Sequence, residues 1–200
     1  MAQLITIVGA SGVGKTTLVQ ALARTGRFVT ALEEHRERPF QALFEQDKRY
    51  ALANQMDYLL HRAGQERELR ASEKIGLMDG GLDLDFHGFT RLFLSRDLLS
   101  QPEYDLCSRL YAFIRAAQPA PELIVSLQAD EGTVASRLSG RKRINIARAE
   151  DAAVFTSHVD KWLASLPSEQ VLTLDVTDET AEYNMSVRAI LDHIQKWSRP

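Results

Sequence analysis

Near the start of the chain, Gly9-Ala10-Ser11-Gly12-Val13-Gly14-Lys15-Thr16-Thr17 sets glycines, a lysine and a hydroxyl in the spacing G-x-x-x-x-G-K-[ST]. The chemistry that needs this spacing is phosphate binding. Glycines let the backbone wrap an anion and aim its N–H groups inward. The helix that follows, its formers running from Leu18 to Arg24, adds the positive end of its dipole. Lys15 can then reach the β- and γ-phosphates, and the Thr16 hydroxyl can ligand Mg²⁺. ATP with Mg²⁺ is the occupant this pattern predicts, held by residues 9 to 17.

Four other groups of residues carry possible chemistry. Asp79 ends an apolar run and is followed by Gly80-Gly81, so it reads either as a magnesium ligand working with Thr16 or as a turn aspartate. Glu33 and Glu34 are adjacent, so an extended backbone sends them to opposite sides and only one can serve as a base for an acceptor hydroxyl. The bland alternative is an acidic loop paired with Arg36 or Arg38. Gln55, Tyr58, Leu59 and Arg62 stand at helical spacing and bring an amide, an aromatic ring and a cation to one face. Arg137, Arg141, Lys142, Arg143 and Arg148 surround Gly140 and read as a basic lid over about 137–148, or as a solvated charge run. The histidines, His35, His61, His87, His158 and His193, show no metal-ligand spacing.

The elements that must position these groups alternate in type. Apolar, β-branched runs predict strands over Leu4–Val8, Arg27–Leu32, Lys74–Asp79, Leu123–Leu127 and Val171–Leu174. Between them the periodicity predicts helices after Lys15, over about 47–70 with a stripe of Ala53, Met56, Leu60 and Ala63, over 86–99, 103–117 and 131–138, and on either side of the last strand. Pro39 is expected to break the chain. Such alternation predicts an α/β fold, a three-layer P-loop NTPase fold with a five-stranded parallel sheet and helices on both faces. Ligands bind such sheets at the carboxyl ends of the strands. The loop after strand one, Glu33-Glu34-His35, Asp79, and Asp175 with Asp178 all fall there.

Two hundred residues suit one domain with a buried core, so 1–200 is expected to be a single unit. A net charge of −3 implies no nucleic-acid polymer and no membrane surface as partner. One cysteine, Cys107, rules out an intramolecular disulfide. No apolar run reaches membrane-spanning length, and the N-terminus reads as a strand, so a cytoplasmic enzyme is expected. A homodimer remains open.

Taken together, these stretches resemble the deoxynucleoside kinase family over most of the chain. Glu33-Glu34-His35-Arg36-Glu37-Arg38-Pro39-Phe40 looks like the family's acid followed by Asn-Pro-aromatic, which implies that Glu33 is the catalytic base. Tyr50-Ala51-Leu52-Ala53-Asn54-Gln55 resembles the stretch whose glutamine pairs with the nucleobase, which implies Gln55, with Asn54 where the family has an aromatic residue. The basic stretch falls at the family's arginine-rich lid. The resemblance implies an ATP- and Mg²⁺-dependent kinase of a deoxynucleoside 5′-hydroxyl, a small nucleoside-like molecule, in nucleotide salvage. Lys15, Arg141 and Arg143 would stabilise transition-state charge, Arg137 would join the phosphate loop in holding the donor, and Arg62 would line the acceptor site beside Glu33 and Gln55. One departure stands out. The family's acid-Arg-Ser after the third strand is Asp79-Gly80-Gly81 here. Arg62, Arg91 or a lid arginine is expected to supply the missing cation. Two rivals are a kinase of another small molecule, such as a nucleoside monophosphate gripped by Arg36 or Arg38, and a nucleotide-binding regulator that transfers nothing.

Overall fold

The apolar runs become five parallel strands, β1 (Leu4–Val8), β2 (Phe28–Ala31), β3 (Ile75–Asp79), β4 (Leu123–Gln128) and β5 (Val171–Asp175). They are seen in a computed structural model that describes residues 1–31, 38–139 and 151–198. The strand order is β2-β3-β1-β4-β5. All four neighbouring pairs are parallel. β1 is therefore central, and the chain leaves it in one direction for β2 and β3 and returns past it to β4. That reversal of strand order makes a crevice at the carboxyl end of β1. The register pairs Ile7 with Asp79 and Val8 with Ser126, so β3 delivers its acid beside the loop that follows Val8.

Both sheet faces are covered. Ile5, Ile7, Leu77, Leu123 and Val125 pack against Leu18, Val19 and Leu22 of α1 (Lys15–Ala23) and Ile190 and Ile194 of α9 (Asn184–Gln195). On the other face, Leu4 and Met78 meet Leu69 of α3 (Ala51–Arg70), while Val8 and Ile124 meet Phe155, Val159 and Trp162 of α8 (Ala152–Leu163). Each fully buried aliphatic side chain contributes about 1.5–3 kcal/mol by leaving water. The predicted three-layer α/β architecture is the one observed.

The helices differ from expectation in four places. Pro39 does not break the chain; it opens α2 (Pro39–Gln46), because proline fits the first helical turn, where its missing N–H has no partner to lose. The long helix begins with a 3₁₀ turn, Lys48–Tyr50, and is α-helical over α3. Its buried face is not the predicted apolar stripe: Leu60 is 55% exposed, while Gln55, Arg62, Gln65, Glu66 and Arg70 are buried. Tertiary ion pairs outweigh the simple apolar pattern there. The helix expected over 86–99 starts earlier, as α4 (Leu82–Leu84), widens into a π-helical turn over Asp85–Thr90, and ends as α5 (Arg91–Ser95). Finally α6 (Gln101–Ala117) starts two residues early, because Ser100 and Glu103 form a capping box and Pro102 fits the first turn.

Helix α8 docks closely on the π-helical turn. A Cβ on Gly88 would lie 2.5 Å from the Phe155 ring, so only glycine fits beneath it. Around this point Phe89 tilts onto Phe155, His87 stacks on Trp162, Ser95 Oγ meets His158 Nε2 at 2.9 Å, and Arg96 pairs with Asp151 at 2.6 Å. Among the described residues no helix is long and apolar enough to cross a membrane.

Candidate active site

The phosphate loop joins β1 to α1. Gly9, Gly12 and Gly14 have φ of 140°, 84° and 111°, a region that glycine enters without steric cost. Two of them are also hemmed in. A Cβ on Gly9 would lie 2.7 Å from the Leu127 carbonyl oxygen, and one on Gly14 would lie 1.8 Å from the Tyr183 hydroxyl. Lys15 begins α1, and its Nζ donates to the carbonyls of Gly9 and Ala10, both at 3.0 Å. The lysine thus folds back over the loop it belongs to, its charge held next to the backbone that would receive a phosphate.

Thr16 and Asp79 meet as predicted. Thr16 Oγ1 donates to Asp79 Oδ2 at 2.5 Å, and Asp79 is 1% exposed. The other carboxylate oxygen, Oδ1, is buried with no hydrogen-bond partner among the described residues. A buried carboxylate oxygen without a donor calls for a cation or water. A hydroxyl and a carboxylate also suit Mg²⁺, which takes few protein oxygens and completes its shell with phosphate and water. The donor set therefore fits the metal that the sequence implied. No cluster of three His, Cys, Asp or Glu residues that could form an all-protein metal site occurs among the described residues.

On the other side of Asp79, α3 and the segment after β3 build a second polar group. Gln55 is buried, and the single hydroxyl hydrogen of Thr90 lies between two acceptors, Gln55 Oε1 at 3.0 Å and the Asp85 carbonyl at 3.1 Å. Arg62 is 4% exposed and donates from Nε to Asp85 Oδ2 at 3.0 Å and from Nη1 to Gln65 Oε1 at 3.1 Å. A Cβ on Gly80, whose φ is 80°, would sit 3.5 Å from Arg62 Nη2. The guanidinium of Arg62 therefore lies beside the Gly80 backbone, next to the acid that ends β3. The π-helical turn is what brings Asp85 and Thr90 to α3 together, since its wider winding changes which residues share a face.

Beneath this group lies a buried ion network that sequence reasoning missed. Arg115 of α6 donates to both oxygens of Glu66, at 2.8 and 3.0 Å, and from Nε to Asp83 Oδ1 at 2.8 Å. Tyr111 donates to the same Asp83 oxygen at 2.7 Å, and its hydroxyl lies 3.2 Å from His87 Nε2. Glu66 is fully buried, and burial pushes its carboxyl up although Arg115 pulls the other way. Burial also lowers His87 to about 4, helped by the charge on Arg91, so this histidine is neutral near pH 7. The only signal in the sequence was spacing: Arg62, Glu66 and Arg70 recur at i and i+4 on a helix whose stripe looked apolar elsewhere.

Several expected residues have other duties. Arg38 is held by Asp57 in a two-pronged pair at 2.5 and 2.6 Å. Tyr58 donates to Gln41 at 2.7 Å. Asp175 is exposed and accepts from the Thr177 N–H two residues on, a turn contact that holds its carboxyl below the usual range. Arg137, on α7 (Glu131–Ser139), binds two backbone carbonyls, Val13 at 2.7 Å and Val176 at 2.8 Å. Asn54 is 1% exposed, with neither side-chain polar atom partnered among the described residues. Glu33, Glu34, Arg36, Arg141, Lys142, Arg143 and Arg148 lie outside the described residues.

A glycine loop capped by a helix, a lysine on that loop and a threonine paired with a buried acid form a P-loop phosphotransferase site. The comparisons refine this. The family model for deoxynucleoside kinase matches residues 5–198, and the chain belongs to that family. A deoxyadenosine/deoxycytidine kinase of Bacillus subtilis (strain 168) is 24% identical over 198 residues, covering 96% of this chain and 91% of that one. Among solved structures, deoxyadenosine kinase from M. mycoides with bound dATP superposes with a TM-score of 0.78 at 18% identity, over 94% of this chain and all of that one. The dCTP-bound form superposes at 0.76, with 16% identity, over 95% of this chain and all of that one. The chain is accordingly a phosphotransferase of nucleoside salvage that moves a phosphate from a nucleotide donor to a deoxynucleoside.

Proposed function

We propose that the acceptor is a deoxynucleoside whose base carries an amine beside an unprotonated ring nitrogen on its pairing edge, as deoxyadenosine and deoxycytidine do and deoxyguanosine does not. The observation that carries this is that Thr90 links Gln55 to the backbone of Asp85, setting the amide near the Arg62–Asp85 ion pair. An amide offers both a donor and an acceptor, which suits a ring nitrogen and its neighbouring amine, and a carboxylate accepts from the same amine. The name of the Bacillus subtilis relative, a deoxyadenosine/deoxycytidine kinase, points the same way.

In this reading residues 1–200 act as one domain. The phosphate loop and Lys15 hold ATP, with Arg137 beside them. Glu33 takes the proton of the 5′-hydroxyl as its oxygen attacks the γ-phosphorus and ADP leaves. Lys15, Arg141 and Arg143 neutralise charge on the transferring group, the two arginines from a lid over about 137–148. Thr16 and Asp79 would hold Mg²⁺, whose charge offsets that of the β- and γ-phosphates. Arg62, over Gly80, supplies the cation missing after Asp79. The monophosphate-kinase reading loses support because Arg38 is already occupied by Asp57.

The test is a coupled ADP-release assay with each of the four deoxynucleosides, confirmed by detecting the monophosphate. Deoxyadenosine and deoxycytidine should be the best substrates. Preference for thymidine or deoxyguanosine would overturn the base assignment.

A further inference from the structure

Two non-glycine residues among those described have positive φ, Asp97 and Tyr183. Tyr183 is the one in the interior. It is 3% exposed, has φ 53° and ψ 38°, and stands immediately before α9. A bulky side chain is rare in this left-handed region, and such a conformation persists only where its surroundings hold it. Its ring shows what holds it. The hydroxyl reaches the phosphate loop, fills the space a Cβ on Gly14 would need, and donates to the Val13 carbonyl at 3.4 Å. Arg137 Nη1 donates to that same carbonyl at 2.7 Å, while its Nη2 is fixed on the Val176 carbonyl at 2.8 Å. One carbonyl of the loop thus receives donors from residues 124 and 170 positions away in the chain.

The consequence follows from peptide geometry. In a trans peptide the C=O and the following N–H lie in one plane and point in opposite directions. Pinning the Val13 oxygen therefore sets the direction of the Gly14 N–H. In a glycine-rich loop this peptide is otherwise free to turn, and an anion nest works only when successive N–H groups converge. We infer that Tyr183 and Arg137 are positioning residues for the donor phosphates: together they fix the Val13–Gly14 peptide before nucleotide arrives. The inference rests on the reading of the loop as the ATP site.

Tyr183→Phe is the direct test, since it removes the hydroxyl and keeps the ring. Losing one hydrogen bond to a carbonyl that keeps a second donor should raise the Kd of a non-hydrolysable ATP analogue about fivefold. The KM for ATP should rise in step, with kcat and the acceptor KM changing less than about twofold. In nucleotide-free protein, amide exchange across 9–17 should quicken while the strands keep their protection, and this arm holds even if the variant melts at lower temperature. An unchanged Kd for the analogue with unchanged exchange across the loop overturns the inference, as does an equal rise in the KM of ATP and acceptor. Wild-type protein that fails to bind the analogue overturns both this inference and the donor reading. Wild-type protein that binds it but phosphorylates no deoxynucleoside overturns the proposed acceptor alone, and a weaker Kd in the variant would then still support the role of Tyr183.

Discussion

The two halves of the site are built by different means. The phosphate loop is made of backbone, shaped by glycines at positive φ over nine consecutive residues and held by a few outside donors such as Tyr183 and Arg137. The polar group beside it is made of buried side chains drawn from α3, the π-helical turn and α6, which hold one another through side-chain hydrogen bonds and ion pairs. A backbone site recognises what all donors share, their phosphates. A side-chain site, by contrast, can be altered one residue at a time.

Four substitutions separate the halves, taken from the largest effect to the smallest. Lys15→Ala should remove about 10³-fold of kcat/KM, the scale of a preorganised charge at the transition state, while the far-ultraviolet spectrum stays that of wild type. Turnover like that of wild type would break the assignment of the donor half. Arg115→Ala should leave Glu66 and Asp83 as buried carboxylates without a cation and cost about 3–5 kcal/mol in denaturant unfolding. Its pH dependence has a definite sign. The Glu66 carboxyl titrates above its unfolded value, so its favourable state is the protonated one, and stability falls as pH rises through the folded pKa. Without Arg115 that shift grows, so the deficit of the variant should shrink on acidification; a deficit that widens would show that Glu66 is not the charge left behind.

Gln55→Leu should raise the acceptor KM about 10- to 100-fold, the cost of leaving a base edge unpaired, with ATP affinity unchanged by calorimetry. A matching loss of ATP affinity would mean the halves are not separable. His87→Phe should have the smallest effect at neutral pH. His87 titrates near 4 in the folded chain against about 6.5 unfolded, so its contribution is full above 6.5 and is lost as pH falls toward 4. Thermal melts should show wild type losing more stability than the variant across that window, and parallel curves would remove His87 as a source of acid sensitivity.

The same contrast decides what could be read from the chain itself. The loop was legible because its chemistry sits in consecutive residues, and Asp79 because it closes an apolar strand. The parallel sheet followed from alternating patterns. The acceptor half was legible only in fragments: Gln55 and Arg62 came from helical spacing, but Asp85, Thr90 and Arg115 meet them only through tertiary packing. A π-helical turn leaves no periodic signature of its own over six residues, and the ion pairs of α3 disguise its inward face: the apolar stripe points to Leu60, which is exposed, and passes over Glu66, which is buried. Pro39 misled because proline marks a helix start as readily as a break.

The close seating of Phe155 on Gly88 also constrains how this sequence can change over generations. Any side chain at 88 collides with the ring, and a smaller residue at 155 leaves a hole, so each single step costs stability while the pair can be exchanged only together. Descendants of this chain should therefore keep both residues or replace both, and an intermediate carrying one change would survive only on stability gained elsewhere beforehand. A laboratory lineage selected for a new acceptor would meet the same ordering of steps, because the turn that presents Asp85 and Thr90 is the one pressed against that ring.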